Sequence, residues 1–142
     1  MEIKSVLEKI YTKTYYIGEA HKRENANAGI IQACADNDDV LMDYISRELE
    51  EINFYAKKRL VEFAFNEGKI SVESSRTKAD EMKGCMEKLL SDYLVEYASY
   101  RWLNDNGVNY DSSIKDESLH RLKDCICSLA PRVRRRATNM GI

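Results

Sequence analysis

The chain has 142 residues, of which 44% are hydrophobic and 32% are charged, with a formal net charge of -2. This length is typical of one domain, and 6 glycines with 1 proline leave too few turns for an all-β fold. The charge balance excludes a protein whose entire surface binds nucleic acid, because such domains carry a large basic excess. No signal peptide or long apolar segment opens the chain, and the 4 cysteines lie on predicted helical segments, which favours a reducing, cytosolic setting.

The first predicted helix ends at Gly18, a residue type that suits a helix C-cap. Its apolar positions recur at spacings of three and four along Ile3, Val6, Leu7, Ile10, Thr14 and Ile17. Residues 19–35 show no such period, so we expect a connector or a short helix there.

The segment DNDD, residues 36–39, predicts the start of a long second helix. Its side chains can cap helix N–H groups, and acids favour the positive end of the helix dipole. The apolar stripe that follows is Leu41, Ile45, Leu49, Ile52, Ala56, Leu60 and Phe63, and we expect the helix to end at residues 66–68. The next segment, KISVESS (69–75), alternates apolar and polar residues, which indicates a short strand or an extended loop.

Two more helices are predicted before Pro131. The third begins at Ser74 or Ser75 and ends at residues 104–107, where Gly107 suits a left-handed C-cap. Its stripe is Ala79, Met82, Met86, Leu89, Tyr93, Tyr97 and Tyr100. The last begins at Ser113, which has capping-box spacing to Asp116, and its stripe is Leu119, Leu122, Ile126 and Leu129. The sequence therefore predicts an all-α fold, with residues 1–130 as a compact bundle of three to four main helices and residues 131–142 as an extended basic tail.

Catalytic chemistry is not indicated by the sequence. Neither His21 nor His120 has a partner at zinc-ligand spacing, and no nucleotide-binding or nucleophile motif occurs. Glu48, Glu50 and Glu51 fall on the outer side of the second helix, as a solvated acidic face does. The tyrosine stripe of the third helix favours packing over base stacking. We expect no enzyme activity, no catalytic residue, no metal and no cofactor.

Charge is distributed unevenly along the chain. Residues 36–51 hold seven acids against Arg47 alone, whereas four of the five residues after Pro131 are arginines. The tail has three interpretations: a free solubilising end, an arm that contacts phosphates, or a segment that docks on an acidic groove of a protein, including a second copy of this chain. The third is favoured and assigns docking to Arg132, Val133, Arg134, Arg135, Arg136, Met140 and Ile142.

Three segments together resemble the head-to-tail connector, or adaptor, proteins of tailed bacteriophages. They are DNDDVLMDYISRELEEINFYAKKRL, which leads from an acidic cap into a long helix, KLLSDYLVEYASYRWLNDNG, which ends in aromatic and arginine residues, and LHRLKDCICSLAPRVR. The similarity covers residues 36–134, about two thirds of the chain.

The resemblance implies a helical virion protein of the neck, made in the host cytoplasm, that forms a ring homo-oligomer, commonly of twelve copies, below the portal. Its implied partners are other copies of itself, the portal protein, tail proteins and DNA that passes without sequence-specific binding, with no membrane contact. The implied channel-facing acids are Asp39, Asp43 and Glu50. The alternative is a small helical nucleic-acid-binding or regulatory protein that uses the arginine tail.

Overall fold

The computed structural model describes residues 1–25, 29–75 and 77–128, with the side chains of residues 77–79 outside that description. The described chain holds four α-helices: α1 (Ile3–Glu24), α2 (Asp38–Lys57), α3 (Thr77–Asp105) and α4 (Ser113–Ser128). A 3-10 helix, Ala35–Asn37, precedes α2, and an antiparallel hairpin of β1 (Val61–Asn66) and β2 (Lys69–Ser74) separates α2 from α3. The predicted helical character is confirmed, but the expectation of an all-α fold is wrong.

Helix α3 is the centre of the core, because α1, α2, α4 and β2 all pack against it. The largest fully buried side chains of this core are Ile10, Leu41, Ile45, Phe63, Ile70, Met86, Leu90, Tyr93, Leu94, Leu122 and Ile126. Burying each aliphatic side chain of this size contributes about 1.5–3 kcal/mol relative to leaving it in water. The core therefore joins all four helices and the hairpin in one unit.

Helix α2 ends nine to eleven residues earlier than the sequence pattern predicted, at Lys57. The stripe from Leu41 to Ala56 is buried as expected, but Leu60 is exposed and takes a φ of 61°, which ends the helical path. Phe63 is buried on β1 instead of on α2. The helical period was misleading there because Val61, Phe63 and Phe65 also alternate at the spacing of a strand.

The hairpin closes through a two-residue turn. Glu67 and Gly68 have φ values of 52° and 76°, as a type I′ turn requires, and Asn66 pairs with Lys69 across it. The predicted strand or extended segment at residues 69–75 is confirmed as β2. Met1 covers the outer edge of β2, since Ile70 N donates to Met1 O at 2.8 Å and Met1 N donates to Ile70 O at 3.2 Å.

Helix α1 continues past Gly18 to Glu24, so Gly18 is not its C-cap. Gly18 is buried inside the helix, and a Cβ atom there would lie 3.2 Å from Ile31 Cβ. The absence of a side chain lets the segment before α2 pack closely on α1, where Thr14 Oγ1 accepts from Ala33 N at 3.0 Å. Trp102 of α3 holds the same segment, because its Nε1 donates to Ile31 O at 2.6 Å.

The end of α3 and the first residue of α4, Ser113, follow the sequence prediction, but the cap of α4 does not. Gly107 has a φ of 84°, as expected for a C-cap glycine. At the start of α4, Asp111 accepts from Ser113 N at 3.1 Å and from Ser113 Oγ at 2.7 Å, in place of the predicted capping box with Asp116. Leu129, Pro131 and the predicted tail lie outside the described residues.

Candidate interaction site

A groove of about 370 Å³ lies between α2 and β1. Its apolar lining includes Ile45 and Leu49 of α2 and Phe63 of β1, all buried, and Phe65, which is 43% exposed. The polar residues that line it are Ser46, Glu50, Asn53, Glu62 and Asn66. An apolar floor with a polar rim is the usual composition of a site that accepts side chains of a partner.

Asn53 fixes the wall of this groove by bonding the outer edge of β1. Its Nδ2 donates to Phe63 O at 3.0 Å, and its Oδ1 accepts from Phe63 N at 2.8 Å. One side chain thus satisfies both backbone groups of Phe63 and takes the place of a neighbouring strand at that position. These two hydrogen bonds fix the position of β1 relative to α2 beside the groove.

The three predicted acids Asp39, Asp43 and Glu50 are exposed and lie on one side of α2. With Ser46 and Asn53 they recur at spacings of four, three, four and three, so they form one helical stripe that borders the groove. We call these five residues the acidic stripe. Asp43 accepts from Arg47 Nε at 3.2 Å, whereas Asp39 and Glu50 have no salt-bridge partner within the described ranges. The stripe therefore presents uncompensated negative charge beside an apolar floor.

Other acids of the same helix are engaged in packing. Asp38 accepts a hydrogen bond from Tyr11 of α1, and Glu48 accepts one from Tyr93 of α3. Burial first, and then these hydrogen bonds, raise the pKa of both phenols. The expectation that Glu48 lies on a fully solvated face is therefore wrong, because its carboxylate bonds to a buried tyrosine.

Tyr44 makes a third contact of this kind on α2. Its hydroxyl donates to Asp105 near the end of α3, and burial together with that bond raises the pKa of Tyr44 to about 12. The guanidinium of Arg101 lies 4.8 Å from the centre of the Tyr44 ring and donates to Tyr97 Oη at 2.9 Å. The contacts of Tyr44 and Glu48 bind α2 to α3 on the side away from the groove.

The far side of α2 is also where α4 ends. Tyr55 Oη lies 2.7 Å from Cys127 Sγ, and Ser128 Oγ lies 3.9 Å from Met82 Sδ on α3. At 3.6 residues per turn, Tyr55 and Asn53 are about 200° apart around α2. The last described residue, Ser128, is therefore on the opposite flank of α2 from the groove. The residues assigned to docking, which are Arg132, Val133, Arg134, Arg135, Arg136, Met140 and Ile142, lie outside the described residues.

His120 and the four cysteines are the remaining candidates for chemistry. His120 is exposed beside Asp124, with Nε2 3.3 Å from its carboxylate. All four cysteines are free thiols: Cys34, Cys85 and Cys127 are exposed, and Cys125 is buried. Burial and the neighbouring Cys85 raise the pKa of Cys125 to about 11. Residues 1–25, 29–75 and 77–128 contain no group of three or more histidine, cysteine, aspartate or glutamate residues arranged to hold a metal ion.

Sequence reasoning found the acids of the stripe but missed Asn53, the hairpin and the groove. The signal was present in VEFAF and KISVE, which alternate on either side of the turn residues Glu67 and Gly68. No helix of the described chain is long and apolar enough to span a membrane. Comparisons with protein-family models, with curated proteins and with solved structures found no match.

Proposed function

We propose that this chain is a structural subunit that assembles with copies of itself into a ring, as the connector proteins between the head and the tail of tailed bacteriophages do. The proposal rests on one observation: two different surfaces, the groove and the end of α4, lie on opposite flanks of α2. The groove opens on one flank of α2, and the chain leaves α4 toward its arginine-rich end on the other flank. An interface between unlike surfaces is heterologous, and it generates a ring when the rotation between subunits closes.

Hydrogen bonds between the helices of the described unit support a structural role. Three phenol–carboxylate hydrogen bonds connect α1, α2 and α3, namely Tyr11 with Asp38, Tyr44 with Asp105 and Tyr93 with Glu48. Hydrogen bonds to charged groups contribute about 1.5–3 kcal/mol each when they are shielded from water. A subunit braced in this way keeps the two flanks of α2 in a fixed relation.

The proposal includes the connector role that the sequence resemblance implies: a ring below the portal in the neck of the virion, with portal and tail proteins above and below it and DNA in the channel. In such a ring the acidic stripe has two uses. It repels DNA if it faces the channel, or it binds a basic segment if it faces the next subunit. The apolar groove beside Glu50 favours the second use, because a surface that only repels DNA needs no apolar floor.

The test is the mass of the full chain by light scattering over a range of concentrations, with and without a short DNA duplex, in low and moderate salt. We expect a mass that rises with concentration toward one closed oligomer and does not change with DNA. The alternative function predicts a monomer or dimer that binds the duplex at low salt and releases it as salt rises, because phosphate contacts are screened by salt. That second result would overturn the proposal.

A further inference from the structure

We infer that the groove between α2 and β1 binds the arginine-rich segment of a second copy of the chain, residues 132–142. This inference rests on the proposed function, since a neighbouring copy supplies the occupant. It adds the identity of the occupant and the residues that receive it.

The charge of the groove fits this occupant. Two of the three carboxylates on the acidic stripe, those of Asp39 and Glu50, have no salt-bridge partner in the described part of the chain. On the opposite wall, Glu62 bonds Lys57 at 3.3 Å, an exposed pair that can exchange partners. Arginine suits such a wall because its planar guanidinium forms two parallel hydrogen bonds with one carboxylate.

The lengths also match. Asp39 and Glu50 are eleven residues apart on α2, which corresponds to about 16 Å along the helix. An extended segment from Arg132 to Arg136 spans about 13 Å, so its guanidinium groups reach carboxylates along most of the stripe. The groove has a volume of about 370 Å³, near the lower end of the range for ligand clefts of about 300–1,000 Å³. That size suits single apolar side chains such as Val133 or Met140 of an extended segment.

The occupant comes from a neighbour because of where the segment starts. Ser128 lies beside Met82, and Cys127 lies beside Tyr55, on the flank of α2 away from the groove. The 14 residues that follow Ser128 reach about 46 Å when extended, against a radius of gyration of about 14 Å for a domain of this size. That length spans its own groove or a neighbour's, and a start on the flank away from its own groove favours the neighbour's groove.

Site-specific photocrosslinking of the full chain tests the occupant directly. The benzophenone probe is placed in the groove by Phe65→p-benzoylphenylalanine, and the control is Tyr16→p-benzoylphenylalanine. Tyr16 is an exposed aromatic residue, 68% exposed, but it lies on α1, which packs against α3, and it does not line the groove. Equal amounts of ¹⁴N-labelled and ¹⁵N-labelled chains are mixed, irradiated and digested, so that mass spectrometry separates bonds between copies from bonds within one copy.

We expect the probe at position 65 to attach to peptides from residues 132–142 and about half of these products to carry mixed isotopes. The probe at position 16 should give at least tenfold fewer tail products. Glu50→Arg combined with Asp39→Arg should lower the yield at position 65 about tenfold, whereas Glu51→Arg on the outer side should leave it within twofold. Tail products of single isotope composition, equal yields from both probes, or products that map elsewhere would overturn the inference.

The failure of this inference is distinguishable from the failure of the proposed function. A closed oligomer whose groove probe attaches to residues outside 132–142 would keep the ring and reject the occupant. A chain that stays monomeric at every concentration, with tail products confined to one copy, would reject both.

Discussion

Asn53 and Tyr55 are two residues apart on α2, and they contact opposite sides of the molecule. Asn53 bonds both backbone groups of Phe63 on β1, at 2.8 and 3.0 Å, whereas Tyr55 Oη contacts Cys127 Sγ on α4 at 2.7 Å. About half a turn of helix therefore separates the groove flank from the flank on which α4 ends. The head-to-tail assembly proposed for this chain depends on that separation.

Asn53→Ala should destabilise the fold by about 1–3 kcal/mol. The substitution removes two hydrogen bonds and leaves the backbone N–H and C=O of Phe63 without their partner beside a partly buried strand. The measurement is the free energy of unfolding from urea titration. Asn104→Ala is the control, because its side chain only donates to Tyr100 O at an exposed position, and it should cost less than about 1 kcal/mol. Equal decreases in the free energy of unfolding of the two variants would show that the contact with Phe63 does not stabilise the fold more than an exposed hydrogen bond does.

Gly84→Ala and Gly18→Ala should differ although both residues lie inside helices. A Cβ atom at Gly84 meets nothing within 4 Å, so the alanine variant should gain about 0.5–1 kcal/mol of stability from helix propensity. At Gly18 the new atom lies 3.2 Å from Ile31 Cβ, and the required shift of residues 29–34 should cancel that gain or reverse it. Thermal unfolding of both variants checks the difference, and identical shifts in the midpoint would contradict the close approach of Ile31 to α1.

Stability should fall at alkaline pH because phenol groups are protonated more tightly in the folded state. The pKa of Tyr44 is raised to about 12, above the value of about 10 for an unfolded chain. Its contribution is therefore complete below pH 10 and is lost as pH rises from about 10 to 12. Absorbance at 295 nm should show a late-titrating fraction of tyrosines that becomes smaller in Tyr44→Phe. A single transition near pH 10 for all tyrosines would contradict the phenol–carboxylate contacts.

The four cysteines should react with thiol reagents at two rates. Cys34, Cys85 and Cys127 are exposed, whereas Cys125 is buried and its pKa is raised to about 11, so little thiolate is present near neutral pH. Titration with an aromatic disulfide reagent at pH 8 should release three equivalents rapidly. The fourth should react at least tenfold more slowly until denaturant is added, and Cys125→Ser should remove the slow phase alone. Four equivalents at one rate would place Cys125 at the surface.

The sequence predicted the helices correctly where the helical spacing of apolar residues had no competing pattern. From Leu41 to Ala56 the apolar residues follow only the helical period, and the predicted stripe is buried. At Leu60 and Phe63 the helical spacing coincided with strand alternation. Pairing of β1 with β2 placed Phe63 on a strand and not on α2. Gly18 lies inside α1 and does not end it, because the absence of a side chain lets Ile31 pack closely against the helix there.

The candidate site was predictable only in part for a similar reason. The acids Asp39, Asp43 and Glu50 share a helical spacing that the sequence shows directly. The groove beside them needs Phe63 and Phe65 on a strand next to α2, and no local pattern states which helix a strand will pack against. Asn53 has no signal of its own, because its role depends entirely on where β1 lies.

In the proposed assembly the groove of one copy binds the tail of another, and mixing two complementary variants measures this binding. One variant carries Asp39→Arg and Glu50→Arg on the acidic stripe, and the other carries Arg134→Glu, Arg135→Glu and Arg136→Glu in the tail. Each variant alone should remain a monomer in light scattering, because it lacks one of the two surfaces. Their equimolar mixture should stop at twice the mass of one chain, since only one intact groove and one intact tail remain. A mixture that stays monomeric, or variants that assemble alone as the unmodified chain does, would contradict binding between the groove and the tail.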